Sequence, residues 1–177
     1  MTQECKVVFL DRDGVINKKP PVHQYVSSRE EMTVLPGVAD AIRRLNDAGL
    51  FVFVVSNQRG VQRGLLTMDD LKDVHDYLDE ILEKKGAHID GYYICPHGNN
   101  ECECRKPKPG LLYKAEEWLK SQGYTIDKDH SCMIGDSDTD IEAGKAYGVN
   151  TIKIGDKESE EATLLLAVDK YFSDIHY

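Results

Sequence analysis

No apolar run in these 177 residues approaches the roughly twenty needed to cross a bilayer, and no basic-then-apolar leader precedes the first apolar segment. A soluble, cytoplasmic chain with no membrane partner is expected. Positive charge is scarce as well: 22 Lys and Arg face 31 Asp and Glu, giving a net charge of −9 and a pI near 5.1. That balance argues against a nucleic-acid backbone as partner and favours small molecules. Repeats, low-complexity linkers and the glycine-rich phosphate loops G-x-G-x-x-G and G-K-[ST] are absent too. Cysteines number only five, and three of them fall within ten residues beside a histidine. An odd, clustered set suits a metal site in a reducing compartment better than a disulfide framework.

What is present is ordinary globular material. With 41% hydrophobic residues, the length fits one domain, residues 1–177, able to bury a real core. Short apolar runs at 7–10, 51–55, 92–95, 132–134 and 151–154 read as buried parallel strands. Helical spacing lies between them. Val38, Ala41, Ile42 and Leu45 share one face after Leu35-Pro36-Gly37 and before Gly49; Leu71, Val74, Leu78, Ile81 and Leu82 share another, from a Thr67 cap to Gly86. A third helix carries Leu111, Leu112, Ala115 and Leu119, and a short one spans 139–147. Strand and helix alternate, which predicts an α/β fold: a doubly wound, mainly parallel sheet with helices on both faces and ligands at the carboxyl ends of the strands.

The acids stand at those ends. In VVFLDRDGVIN the first apolar run stops at Asp11 and Asp13, and MIGDSDTD puts Asp136, Asp138 and Asp140 after another. Carboxylates held together repel, so they invite a divalent cation such as Mg²⁺ or a division into one ionised and one protonated group. An Asp after a strand often only caps the next helix, but two such strand ends in one chain outweigh that reading. VVSNQRG places Ser56, Asn57 and Gln58 after the second strand, and CRKPKPG places Arg105 and Lys106 before a helix starting near Pro109. Hydroxyl, amide and cation are what phosphate oxygens require.

In this order, DRDG, SNQ, RKPKPG and GDSDTD resemble the four motifs of the haloacid dehalogenase superfamily, in its phosphatase branch. The resemblance implies a two-step transfer in which Asp11 attacks phosphorus and water cleaves the aspartyl phosphate. It casts Asp13 as acid and base, and Ser56 and Lys106 as holders of the phosphoryl oxygens. Mg²⁺ would sit on Asp11, the main-chain carbonyl of Asp13 and Asp136, with Asp140 behind it. The last motif carries Asp138 as an extra acid, which leaves open whether Asp138 or Asp140 supports the metal. Only 22 residues separate Asp13 from Pro36, too few for a cap domain. An open site must draw its selectivity from rim loops.

One such loop, CPHGNNECEC, sets Cys95, His97, Cys102 and Cys104 as C-x-H and C-x-C, the number and kind of ligands for a closed, structural zinc site. A Cys102–Cys104 disulfide or loose thiols are the alternatives. Cys5, Cys132 and most remaining histidines are expected in the core, with His23 left as a rim candidate. Zinc loop and missing cap narrow the resemblance to phosphatases of D-glycero-D-manno-heptose 1,7-bisphosphate and of histidinol phosphate. Lys18, Lys19, Arg59, Arg63, Arg105, Lys106 and Lys108 are expected around the site. Such cations suit a second phosphate and repel an amine, whereas Glu101 and Glu103 could face one. Lys19, Asn57, Gln58, Arg59, Arg105 and Lys106 are therefore the expected substrate contacts, and a monomer is expected. A receiver-type signalling domain shares the sheet, Mg²⁺ and phospho-aspartate, but it needs an aspartate where this chain has Ser56.

Overall fold

A computed structural model describes residues 1–155 and 163–176. Five strands form the main sheet: β2 (Val7–Leu10), β3 (Phe51–Asn57), β4 (Gly91–Cys95), β6 (Cys132–Gly135) and β7 (Asn150–Lys153), in the order β4-β3-β2-β6-β7. Every pairing in it is parallel. Two short strands, β1 (Gln3–Cys5) and β5 (Tyr124–Ile126), pair in parallel as a separate ribbon.

Alternation along each strand builds two cores. Val8, Leu10, Val52, Val54 and Ile134 point toward α1 (Val38–Asp47), α2 (Met68–Glu83) and α5 (Thr163–Asp174). Val7, Phe9, Phe53, Val55 and Met133 point the other way, toward α3 (Gly110–Ser121) and α4 (Asp138–Tyr147). All five strand residues in each set are buried, which is why the strands read as unbroken apolar runs rather than alternating ones. Burying one such Phe or Leu is worth about 1.5–3 kcal/mol.

Chain direction reverses beside β2. From β2 the chain moves out through α1, β3 and α2 to the β4 edge, then returns by α3 to β6 on the other flank of β2. The crevice at that reversal lies between the carboxyl ends of β2 and β6, where Asp11 and Asp136 follow the strands.

Helix signals behave as their chemistry requires. Thr67 caps α2 by accepting from Asp70 N at 3.0 Å, while Asp70 Oδ2 accepts from Thr67 N at 2.7 Å. Gly37 precedes α1 with a left-handed φ of 76°. Between the first motif and α1 the chain forms a loop with one 3₁₀ turn, Arg29–Glu31, and no cap domain. Val26 and Met32 pin that loop on Val74 of α2, and Arg29 reaches Asp73 and Glu80.

Candidate active site

Three carboxylates and two lysines meet at the crevice. Asp11, Asp136 and Asp140 each bring an oxygen within 4.8 Å of the others. Lys106, fully enclosed, donates from Nζ to Asp11 Oδ1 at 2.9 Å, Asp140 Oδ1 at 2.5 Å and the Val55 carbonyl at 2.7 Å. Its backbone is fastened from β3: Lys106 N donates to Asn57 Oδ1 and Asn57 Nδ2 donates to Lys106 O, both at 3.0 Å. Asp140 Oδ2 accepts from Ser137 N and Oγ, so the carboxylate that completes the cap of α4 also holds the lysine. Gly14 and Gly135 allow this crowding. A Cβ on Gly14 would lie 2.3 Å from Asp136 Oδ2, and one on Gly135 would lie 2.2 Å from Asp140 Cβ.

Electrostatics separate the two aspartates of the first motif. Burial, helped by the charges of Asp140 and Asp13 and opposed by Lys106, pushes the Asp11 carboxyl up to about 7. Burial also works on Asp13, but the Arg12 charge and hydrogen bonds from Asn17, Gln58 and Arg12 outweigh it and hold its carboxyl below the usual range. Asp13 Oδ1 accepts from Arg12 Nε at 3.1 Å, Arg12 Nη2 at 2.9 Å and Asn17 Nδ2 at 3.0 Å; Oδ2 accepts from Gln58 Nε2 at 2.9 Å. Lys106 keeps its charge because its two carboxylate partners outweigh its burial, which acts the other way.

A cation fits this cluster. Three hard oxygen donors converge, and the Lys19 ammonium, on a side chain 59% exposed, lies 2.7 Å from Asp136 Oδ2 as a stand-in positive charge. A second site closes beside it. Cys95 Sγ lies 3.5 Å from His97 Nδ1 and 3.5 Å from Cys102 Sγ, and Cys104 Sγ lies 3.3 Å from each of the same two atoms. A tetrahedral zinc with arms of about 2.0–2.3 Å has ligand edges of roughly 3.3–3.8 Å, so these four separations suit that ion, and all four atoms lie within 4.8 Å of one another. Cys102 and Cys104 are free, which removes the disulfide alternative. Burial raises the Cys102 thiol, but hydrogen bonds from Cys104 and the Arg105 amide bring it down to about 6.

Comparison with known proteins agrees with this geometry. The HAD-hydrolase-like family model matches residues 103–175. The D-glycero-D-manno-heptose-1,7-bisphosphate 7-phosphatase of Chlorobaculum tepidum is 36% identical over 168 residues, covering 90% of this chain and 83% of its own. The chain belongs to the haloacid dehalogenase superfamily, in its heptose-bisphosphatase family. The corresponding protein of Rhodopseudomonas palustris is 43% identical over 150 residues, with 80% and 78% coverage. The D,D-heptose 1,7-bisphosphate phosphatase of B. bronchiseptica, solved with magnesium and phosphate, superposes with a TM-score of 0.83 at 28% identity, covering 96% of this chain and 99% of that one.

Against the motifs of the superfamily, most expected residues gather at the crevice. Asp11, Lys106, Asp136 and Asp140 form one cluster, and Gln58 ties Asp13 to Ser56 in a second group whose Asp13 charge acts on Asp11. Asp138 turns away: it is 82% exposed and pairs with Lys153, so Asp140 is the acid that reaches the cluster. Several expected substrate contacts are occupied elsewhere. Asn57 is spent on the Lys106 backbone, and Gln58 is buried against Asp13 and Ser56 Oγ. Arg105 braces Asn99 and the His97 carbonyl; Lys108, expected only near the site, braces Cys102 O and Glu103. Lys19 points at Asp136 rather than outward.

The core expectation for histidines needs correcting. Of His75, His88, His130 and His176 only His75 is buried, because the others sit at helix and strand ends where the chain meets water. His23 is exposed and 3.0 Å from Arg63. Sequence reasoning missed Arg12 and Asn17, which grip Asp13. The signal was an arginine between two aspartates, in a strand end with no room to point it at water.

Proposed function

We propose that this chain is a magnesium-dependent phosphatase that removes the 7-phosphate of D-glycero-D-manno-heptose 1,7-bisphosphate through an aspartyl phosphate on Asp11. The observation that carries the reading is the Asp11–Lys106–Asp140 cluster, with Asp13 beside it, in a chain 36–43% identical to relatives of that name. An Asp11 oxygen attacks phosphorus, and the P–O bond to the sugar breaks. The departing oxygen takes a proton from Asp13. Water then attacks phosphorus, Asp13 takes its proton back, and the bond from phosphorus to Asp11 breaks. The resting structure holds Asp13 as a carboxylate; a bound phosphate dianion beside it supports the proton uptake that the first step needs. Ser56 and Lys106 support the phosphoryl oxygens.

Asp11, Asp136 and the Asp13 carbonyl would hold Mg²⁺, with Asp140 steadying Lys106. When bound, the ion neutralises phosphoryl charge and favours ionised Asp11. Zinc on Cys95, His97, Cys102 and Cys104 is structural in this reading. The five free thiols support a reducing, cytoplasmic setting, and the substrate is a small phosphorylated sugar met by a single, uncapped 177-residue domain acting as a monomer.

Rim chemistry supports the bisphosphate over histidinol phosphate. Arg59 is half-buried, and no carboxylate or carbonyl among the described residues engages its guanidinium, which leaves its outer nitrogens for a second phosphate. Glu101, the expected partner of an amine, is held by Gln62 and the Gly98 amide, and Glu103 by Lys108. The test is phosphate release with Mg²⁺ from heptose 1,7-bisphosphate, other sugar phosphates and histidinol phosphate. The heptose should give the highest kcat/KM; a preference for histidinol phosphate overturns the substrate, and inertness of every ester overturns the activity.

A further inference from the structure

α2 carries one buried polar side chain that the transfer chemistry does not use. His75 is 6% exposed, and its ring lies flat on Tyr92 of β4, with centroids 4.2 Å apart and planes within 10°. Tyr92 is anchored in turn, donating its hydroxyl to Asp79 Oδ1 at 2.7 Å. On its inner edge His75 Nε2 lies 3.1 Å from Arg12 Nη1. Burial first, and then the Arg12 charge, push the imidazole down to about 3, so the ring is neutral. A guanidinium has donors only, so Nε2 must be the unprotonated nitrogen and must accept.

Arg12 is fully buried and gripped from both sides. Nη1 donates to His75, while Nε and Nη2 donate to Asp13 Oδ1. Because the guanidinium is a rigid plane, fixing one edge fixes the direction of the others.

We propose that His75 is a positioning residue: acting through Arg12, it holds the Asp13 carboxylate where proton exchange with ester oxygen and water takes place. The inference rests on the proposed role of Asp13. Without the acceptor, Nη1 is a buried donor that must rotate to find another partner, and the carboxylate moves with the plane. A misplacement on the order of 1 Å costs about a hundredfold in rate. A histidine that merely filled the core would change stability and leave turnover per folded molecule alone.

Two substitutions separate these roles. His75→Phe keeps the ring stacked on Tyr92 but offers no acceptor, whereas His75→Gln keeps an acceptor and loses the ring. With heptose 1,7-bisphosphate and Mg²⁺, His75→Phe should lower kcat about ten- to a hundredfold with KM within about threefold of wild type. His75→Gln should recover most of that loss whatever the two melting temperatures. Wild-type kcat in the Phe variant, or a Gln variant no better than Phe, overturns the proposal. Should the Phe variant fail to fold, Arg12→Met is compared with Arg12→Met/His75→Phe, which removes both polar partners. Equal kcat in those two supports action through Arg12, and a further loss of about fivefold or more overturns it. Asp13→Asn keeps the underlying reading separate: wild-type turnover lost in that variant sustains the activity whichever way His75 behaves, and full kcat in it sinks both.

Discussion

At the scale of single residues the site is a contest between burial and charge, and Asp11 shows its consequence. Its folded carboxyl titrates near 7 against 3.8 for the free group, so the metal-free native state binds more protons than the unfolded chain between about pH 4 and pH 7. Stability from this residue is present below 4 and is lost as pH rises through 7. Asp79 and Asp90, raised by burial, act in the same direction, so the comparison must be with Asp11→Asn. In magnesium-free buffer the melting temperature of wild type minus that of Asp11→Asn should fall steadily from pH 4 to 7; a flat difference would contradict the raised value. Mg²⁺ binding needs the ionised form, so its affinity by calorimetry should weaken about tenfold per pH unit below 7. Asp11→Asn should lose phosphate release on the order of 10³-fold or more, which a single-turnover assay reads directly. At this scale the sequence was only partly legible. Spacing picked out Asp11, Asp13, Asp136 and Lys106 because strand ends aim at one crevice. It did not distinguish Asp138 from Asp140, since that depends on which face of the first turn of α4 meets Lys106.

Elements show a different division. The α2 cap was readable because Thr67 and Asp70 act within four residues; Thr67→Ala should cost about 1 kcal/mol in urea unfolding with kcat unchanged. The ribbon of β1 and β5 was not, because strands of three residues carry too few side chains for a period, and their partner lies more than 100 residues away. α5 was missed too, although Leu164, Ala167, Val168 and Tyr171 keep helical spacing. The zinc loop was legible as ligand spacing, and its bearing on the site shows only in three dimensions. Cys95 closes β4 and its carbonyl accepts from Gln58 N at 2.7 Å, the residue that donates to Asp13; Cys104 stands two residues before Lys106. Cys102→Ser should therefore release zinc, lower the melting temperature and reduce kcat, while the Mg²⁺ concentration giving half-maximal activity stays within about twofold, since the two ions share no ligand. Metal analysis and a Mg²⁺ titration on the same preparation check both halves.

For the molecule as a whole, no cap domain lies among the described residues, and the proposed bisphosphate selectivity rests on cations at the rim of a chain of net −9. Arg59→Glu should lower kcat/KM for the bisphosphate about tenfold or more while changing a generic monophosphate little, as paired steady-state assays will show. Raising salt should narrow the gap in wild type, since exposed charges are screened within about 10 Å at 0.1 M. The doubly wound sheet was legible from strand and helix alternation, because buried parallel strands and amphipathic helices leave different periods. The distribution of rim cations was not, because Arg105 and Lys108 are drawn onto the cysteine loop by its carbonyls, which no local pattern announces. The proposed zinc loop also bears on how the metal could be taken up. All four ligands come from ten consecutive residues, 95–104, so closing the loop requires no distant segment and little chain entropy beyond what the finished sheet has already lost. Metal capture can thus follow folding instead of driving it. If zinc is the ion held there, a chain lacking it would stay folded with reduced turnover, and adding the metal would restore activity with no new synthesis.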